Sequence, residues 1–169
     1  MYVTPGTSLI PQKNNTSCWY AAAQMLIQWK RNTARMTFRD HPDPSQLAQT
    51  VAWEVAANGI INPQVLTLAR LLGLHHVPPL SPSLRSLEAR LRRHGPLWTN
   101  GKGHIVVIDG VDATSGMVHV LDPWPPRHGK IEWRSYSEWY IGNVPVGDDE
   151  PDSSRDVGLD VEATFLYHP

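Results

Sequence analysis

Cys18 is the only cysteine in a chain of 169 residues. It can form neither an intrachain disulfide nor a multi-thiolate zinc site, which leaves a buried structural thiol or a nucleophile. The surrounding residues favour the nucleophile. Thr16 or Ser17 can cap a helix running from about Cys18 to Lys30, so the thiol stands at a helix start. Free backbone N–H groups and the positive end of the helix dipole favour a thiolate there. The Cys18 amide can also donate to an oxyanion, and acyl chemistry calls for a second donor. Gln12, six residues earlier on the extended lead-in, offers a neutral side-chain amide for that role.

A thiol of this kind needs a base, and histidine titrates near neutrality. Eight histidines are present. His41 lies in a proline-rich loop, His168 at the chain end, and His94 in the last turn of an expected helix. His75 and His76 follow a helix stop, and adjacent histidines without a carboxylate motif are poorly placed to chelate a metal. No metal site or cofactor is expected. His104 opens the run HIVVID just after Gly101-Lys102-Gly103, and Asp122 ends the run MVHVLD just before Pro123. The two runs flank Thr114-Ser115-Gly116, a hairpin signature. His104 and Asp122 have equal parity, so a hairpin without a central bulge puts them on one face with Val106, Ile108, Val118 and Val120. A one-residue register shift would separate them. Asp109 has the wrong parity for His104, and Asp112 lies at the far end of the hairpin.

The elements that must position these groups change character along the chain. The first half reads as helical: about 18–30, then 46–57 after Ser45, then 62–73 opened by Asn62-Pro63 and stopped by Gly73, then a helix capped by Ser83 and ended by Gly95. The second half reads as strands: PLWTN, the two runs of the hairpin, a segment through Trp133 that leads to a short helix, and VEATFLYHP. A solvated acidic loop is expected over 147–156. The order implies an α+β fold in a single domain, with a helical lobe over about 1–95 and a β lobe over about 96–169. A hydrophobic content of 41% and a charged content of 18% are ordinary for a globular chain. A net charge of −1 gives no electrostatic case for nucleic acid or an anionic membrane. No apolar run approaches the ~20 residues that span a bilayer, and the N-terminus lacks the layout of a signal peptide.

The stretch Gln12-Lys13-Asn14-Asn15-Thr16-Ser17-Cys18-Trp19-Tyr20-Ala21-Ala22-Ala23-Gln24-Met25 resembles the active-site segment of bacterial papain-like cysteine proteases. It is most similar to the group that includes secreted effector proteases of plant pathogens. Residues 103–111 resemble the histidine segment of that group, and Leu121-Asp122-Pro123 its aspartate segment. The resemblance implies a papain-like fold, a helical lobe whose cysteine helix packs against an antiparallel β-sheet lobe with a cleft between. It implies Cys18 as nucleophile, His104 as base, Asp122 as the group orienting that base, and Gln12 as oxyanion donor. Papain has asparagine at the third position, so Asp122 points to the bacterial branches. Trp19, Trp98 and Trp124 are candidates to line a substrate cleft. The expected partner is a protein or peptide substrate, with a cognate inhibitor or immunity protein as a further partner. Delivery into a target cell without a signal peptide, and action in a reducing compartment, are also implied. The same three residues serve deamidases, transglutaminases and cell-wall amidohydrolases, and a binding module could retain the fold without turnover.

Overall fold

The computed structural model describes residues 1–34, 59–60, 62–77, 82–100, 104–136 and 165–169. Within them the elements run β1 (Tyr2–Val3), α1 (Cys18–Ala34), α2 (Asn62–Leu71), β2 (His75–Val77), α3 (Leu84–His94), β3 (Leu97–Asn100), β4 (Ile105–Asp112), β5 (Met117–Asp122), β6 (Lys130–Ser135) and β7 (Phe165–Tyr167). The chain is α+β, as expected. The expected helix over 46–57, the turn over 101–103, the acidic loop over 147–156 and the short helix after Trp133 lie outside the described residues.

All strand pairings are antiparallel, and the seven strands form one sheet in the order β2-β7-β3-β4-β5-β6, with β1 paired to β4. Two of these strands come from the half expected to be helical. β1 pairs Tyr2 with Val111, and β2 pairs His76 with Leu166 of β7. Both are short, and their hydrogen-bond partners are remote in sequence, so no local pattern marks them.

Strand alternation sorts the sheet residues onto two cores. Ile105, Val107, Leu121, Trp98 and Leu166 pack with Trp19, Ala22, Ala23, Met25 and Leu26 of α1 and with Val65, Leu68 and Leu72 nearby. Val106, Ile108, Val111, Val118, Val120, Leu97 and Phe165 pack on the other face with Leu87 and Leu91 of α3. The alanines of α1 bring its backbone close to the sheet, and the Trp98 indole N–H donates to the Trp19 carbonyl at 3.1 Å. In α3 the expected caps are present. The Ser83 hydroxyl accepts from the Ser86 amide at 3.2 Å, and Gly95 ends the helix at φ 79°. That glycine is doubly required, because a Cβ there would lie 2.1 Å from the ring of Trp29.

The β4–β5 hairpin departs from expectation, and the departure positions the site. From the turn inward, Asp112 faces Met117, Val111 faces Val118 and Gly110 faces His119. Continued without interruption, that ladder would set Val107 opposite Asp122 and place Asp122 on the face away from His104. A bulge between Ile108 and Gly110 intervenes, so Ile108 faces Val120 and Val107 faces Leu121. Asp122 then falls opposite Val106, on the parity of His104. The expectation of an unbulged hairpin is therefore corrected. The four-residue turn 113–116 starts the ladder in the wrong register, and the extra residue at Asp109 restores the right one.

The bulge is held from both sides. The Asp109 carboxylate meets His119 Nδ1 at 2.6 Å, and the Asp109 carbonyl accepts the Thr4 amide at 2.7 Å, which brings the end of β1 against it. Gly110 is packed so closely that a Cβ would lie 2.9 Å from His119 Cβ, the Tyr2 carbonyl and Val3 Cγ2. Gly110→Val is expected to destabilise the protein by about 1–3 kcal/mol through overpacking at backbone. A urea denaturation series measures this, and an unchanged midpoint would contradict the packing account.

Candidate active site

Cys18 is the first residue of α1 and is a free thiol, 9% exposed. The intrahelical ladder starts one residue earlier, where the Ser17 carbonyl accepts the Ala21 amide at 3.1 Å. The Ser17 hydroxyl is not spent on the helix. It accepts the amides of Lys13 and Asn14, both at 3.2 Å, and so folds the 13–16 segment back against the helix start. The amides that precede Ala21 in the first turn of α1 have no intrahelical partners.

His104 stands one residue before β4. Its Nε2 lies 2.7 Å from Oδ1 of Asp122, which leaves Nδ1 for the thiol. Burial by itself lowers the proton affinity of this imidazole. The hydrogen bond that it donates to Asp122, its hydrogen bond with Cys18 and the charges of both outweigh it, and the pKa is raised from 6.5 to about 9. The imidazole is thus shared between the thiol and the carboxylate.

Asp122 is buried at 4% exposure and is fully occupied. Its Oδ1 accepts from His104 and, at 2.9 Å, from the Trp124 amide, and its Oδ2 accepts from Arg134 Nη2 at 2.7 Å. Burial pushes its pKa up, but the hydrogen bond and charge of His104, with the Trp124 amide and Arg134, bring it below the ordinary carboxylate value. Arg134 is in turn held by Glu132, whose Oε1 accepts from Nε at 2.7 Å. Arg134 belongs to the site and was not anticipated from sequence. The signal was present in KIEWRS, where Lys130, Glu132 and Arg134 share one face of β6, and register pairs Lys130 with Asp122. Only the pairing of β5 with β6 makes that signal readable.

Gln12 is buried at 1% exposure beside the loop that follows Asp122. Its backbone amide donates to the Pro123 carbonyl at 3.0 Å, and its carbonyl accepts the Arg127 amide at 2.8 Å. One hydrogen of its side-chain amide is directed to the Asn14 carbonyl at 2.6 Å, which leaves the second free to donate. Gly129 permits this close approach, since a Cβ there would lie 2.9 Å from both the Asp122 carbonyl and Leu9.

Other expected groups fall elsewhere. Trp98 is fully buried and Trp19 is 3% exposed, so both are core residues and do not line a cleft, which corrects that expectation. Their indoles fill the space between α1 and the sheet, where large aromatic surfaces are best buried. Trp124 is 41% exposed and directly follows Pro123, so it remains at the surface beside Asp122. Asp109 engages His119, and Asp112 accepts from the Thr114 amide and the Ser115 hydroxyl, so neither rival carboxylate meets His104. His75 and His76 lie exposed on β2, and His94 packs on Tyr167. Among the described residues, no group of three or more His, Cys, Asp or Glu is placed to hold a metal ion, and no helix is long and apolar enough to cross a membrane.

Comparison with protein-family models matches residues 5–140 to the family described as papain-like cysteine protease AvrRpt2. A search of curated proteins returned no match. The matched span includes Gln12, Cys18, His104, Asp122 and Arg134.

The pKa of His104 gives a signed expectation. Its folded value of about 9 exceeds the unfolded 6.5, so its contribution to stability is complete below pH 6.5 and is lost as pH rises through about 9. NMR titration of His104 is expected to place its midpoint near 9 and to show it falling toward 6.5 in Cys18→Ala and in Asp122→Asn. A midpoint unmoved by both substitutions would contradict the shared hydrogen bonding. Arg134→Gln is expected to leave the fold intact and lower kcat about tenfold to hundredfold at similar KM, by loosening the carboxylate behind His104. Steady-state kinetics on any substrate of the protein checks this.

Proposed function

Because this chain belongs to the papain-like cysteine protease AvrRpt2 family, we propose that it is a cysteine endopeptidase in which Cys18 is the nucleophile and His104 its acid and base. Asp122 orients His104, and Gln12 with the Cys18 amide receives the oxyanion. One observation carries this reading: a single imidazole, hydrogen-bonded to the lone thiol on one side and to a buried carboxylate at 2.7 Å on the other, keeps its proton up to about pH 9. A protonated imidazole beside a thiol supports the thiolate form that attack requires.

The steps follow from that proton. The Cys18 thiolate attacks the substrate carbonyl carbon, a C–S bond forms, and the carbonyl electron pair moves to oxygen. The Cys18 amide and the second hydrogen of Gln12 Nε2 stabilise that charge. His104 then gives its Nδ1 proton to the departing nitrogen, the C–N bond breaks, and a thioester remains. Water enters, His104 takes its proton, hydroxide adds to the thioester, and collapse of the adduct releases the acid and the thiolate. Throughout, Asp122 keeps Nε2 protonated and the ring plane fixed, so that Nδ1 is the atom facing sulfur. The resemblance of residues 12–25 and 103–111 to secreted effector proteases extends the reading to a bacterial effector or toxin. It would be delivered into a target cell, act on a protein substrate and be restrained where it is made by a cognate inhibitor.

Wild type and Cys18→Ala, each incubated with a target-cell lysate and compared by mass spectrometry, test the proposal. New peptide termini are expected with wild type and a loss of at least about a thousandfold in rate with Cys18→Ala. A one-dalton gain at glutamine without cleavage would reassign the chemistry to deamidation, and new cross-links would reassign it to acyl transfer between proteins. Full activity in Cys18→Ala sinks the mechanism.

A further inference from the structure

An open cleft of about 740 Å³ adjoins the candidate active site. One wall is Lys13, Asn14, Asn15 and Thr16, the segment between Gln12 and the helix start. The other is Pro126, Arg127 and His128, on the turn that follows Asp122. The walls are joined at their base by the two backbone hydrogen bonds of Gln12, to Pro123 and from Arg127.

The lining is one-sided in charge. Lys13, Arg127 and His128 are its only ionisable side chains, and no acidic residue lines it among the described residues. None of the three forms an ion pair with a described carboxylate. The neutral groups lean the same way. The Asn14 side-chain oxygen accepts both the amide and the hydroxyl of Thr16 at 3.1 Å, so its side-chain N–H₂ remains as a donor. Arg127 sits at φ 69°, a conformation uncommon outside glycine, and the hydrogen bond from its backbone amide to the Gln12 carbonyl holds it there. Two exposed cations with amide hydrogens beside them make a receptor for a carboxylate.

We propose that this cleft is a subsite for an acidic side chain of the substrate, Asp or Glu, within a few residues of the scissile bond. The placement follows from Gln12, the proposed oxyanion donor, whose two backbone hydrogen bonds join the cleft walls. The inference rests on the peptide-bond reading above and adds a substrate class to it.

A peptide library prepared by digesting a whole proteome, incubated with wild type, with Cys18→Ala and with the double variant Lys13→Gln/Arg127→Asn, reads both claims separately. Asparagine accepts a positive φ, so the turn is retained in the double variant. Wild type is expected to make cuts absent with Cys18→Ala, with Asp and Glu enriched about fivefold over their background at a position within a few residues of the cut. The double variant is expected to lose that enrichment while cutting sites without an acidic residue at the wild-type rate. Raising salt from about 20 mM to about 500 mM is expected to erode the enrichment in wild type, since exposed charges are screened. Cys18-dependent cuts without acidic enrichment, or enrichment kept in the double variant, would overturn the subsite and leave the protease reading standing. Absence of Cys18-dependent cuts would overturn both.

Discussion

The face of a strand on which a side chain emerges is a binary property, and it is set by counting residues from the turn. In β4 the count is altered by Asp109, the one residue that the partner strand does not match. Everything chemical at the other end of the hairpin depends on that alteration. With it, His104 and Asp122 come within 2.7 Å; without it, the two would emerge on opposite faces of the sheet. The bulge is secured by burial, by a carboxylate–imidazole contact at 2.6 Å and by the backbone that follows β1. A buried carboxylate unshared with a partner would be costly, and burial does raise the Asp109 pKa despite His119. The protein accepts that cost at a position where the register of its sheet is decided.

The site is built as a graded sequence of charges. Glu132 holds Arg134, Arg134 holds Asp122, Asp122 holds His104, and His104 reaches the thiol. Each member is less exposed to competing water than a free side chain would be, and each fixes the rotamer of the next. The carboxylate accepts three hydrogen bonds, which keeps it ionised despite burial. Its negative charge in turn keeps the imidazole protonated. The proton affinity of His104 therefore depends on Asp122, which is itself held by a residue of β6.

Much of this arrangement could be read from residue order. The cysteine at the start of α1, the caps at Ser83 and Gly95, and the two strands of the hairpin follow from signals within a few residues of one another. The placement of Cys18 at a helix start and of His104 beside Asp122 was legible because each stands at the end of an element, where local rules are strongest. What escaped depends on partners remote in sequence. β1 and β2 are strands only because Val111 and Leu166 face them. Arg134 matters only because β6 lies beside β5. The parity argument reached the right pair through an incomplete premise, since turn length and bulge each shift the register and their shifts cancel. Trp19 and Trp98 went to the core because packing, which composition does not reveal, claimed them.

The position of β7 bears on when such a protein can become whole. Phe165 and Leu166 lie inside the sheet, hydrogen-bonded to β2 on one side and to β3 on the other. Among the described strands, a chain that is complete through β6 but lacks these residues has β2 without a neighbour and β3 with one unsatisfied edge. Leu166 is also part of the core under α1, and Phe165 of the core under α3. Both layers therefore close together once β7 is in place, and α1 gains its full support only then.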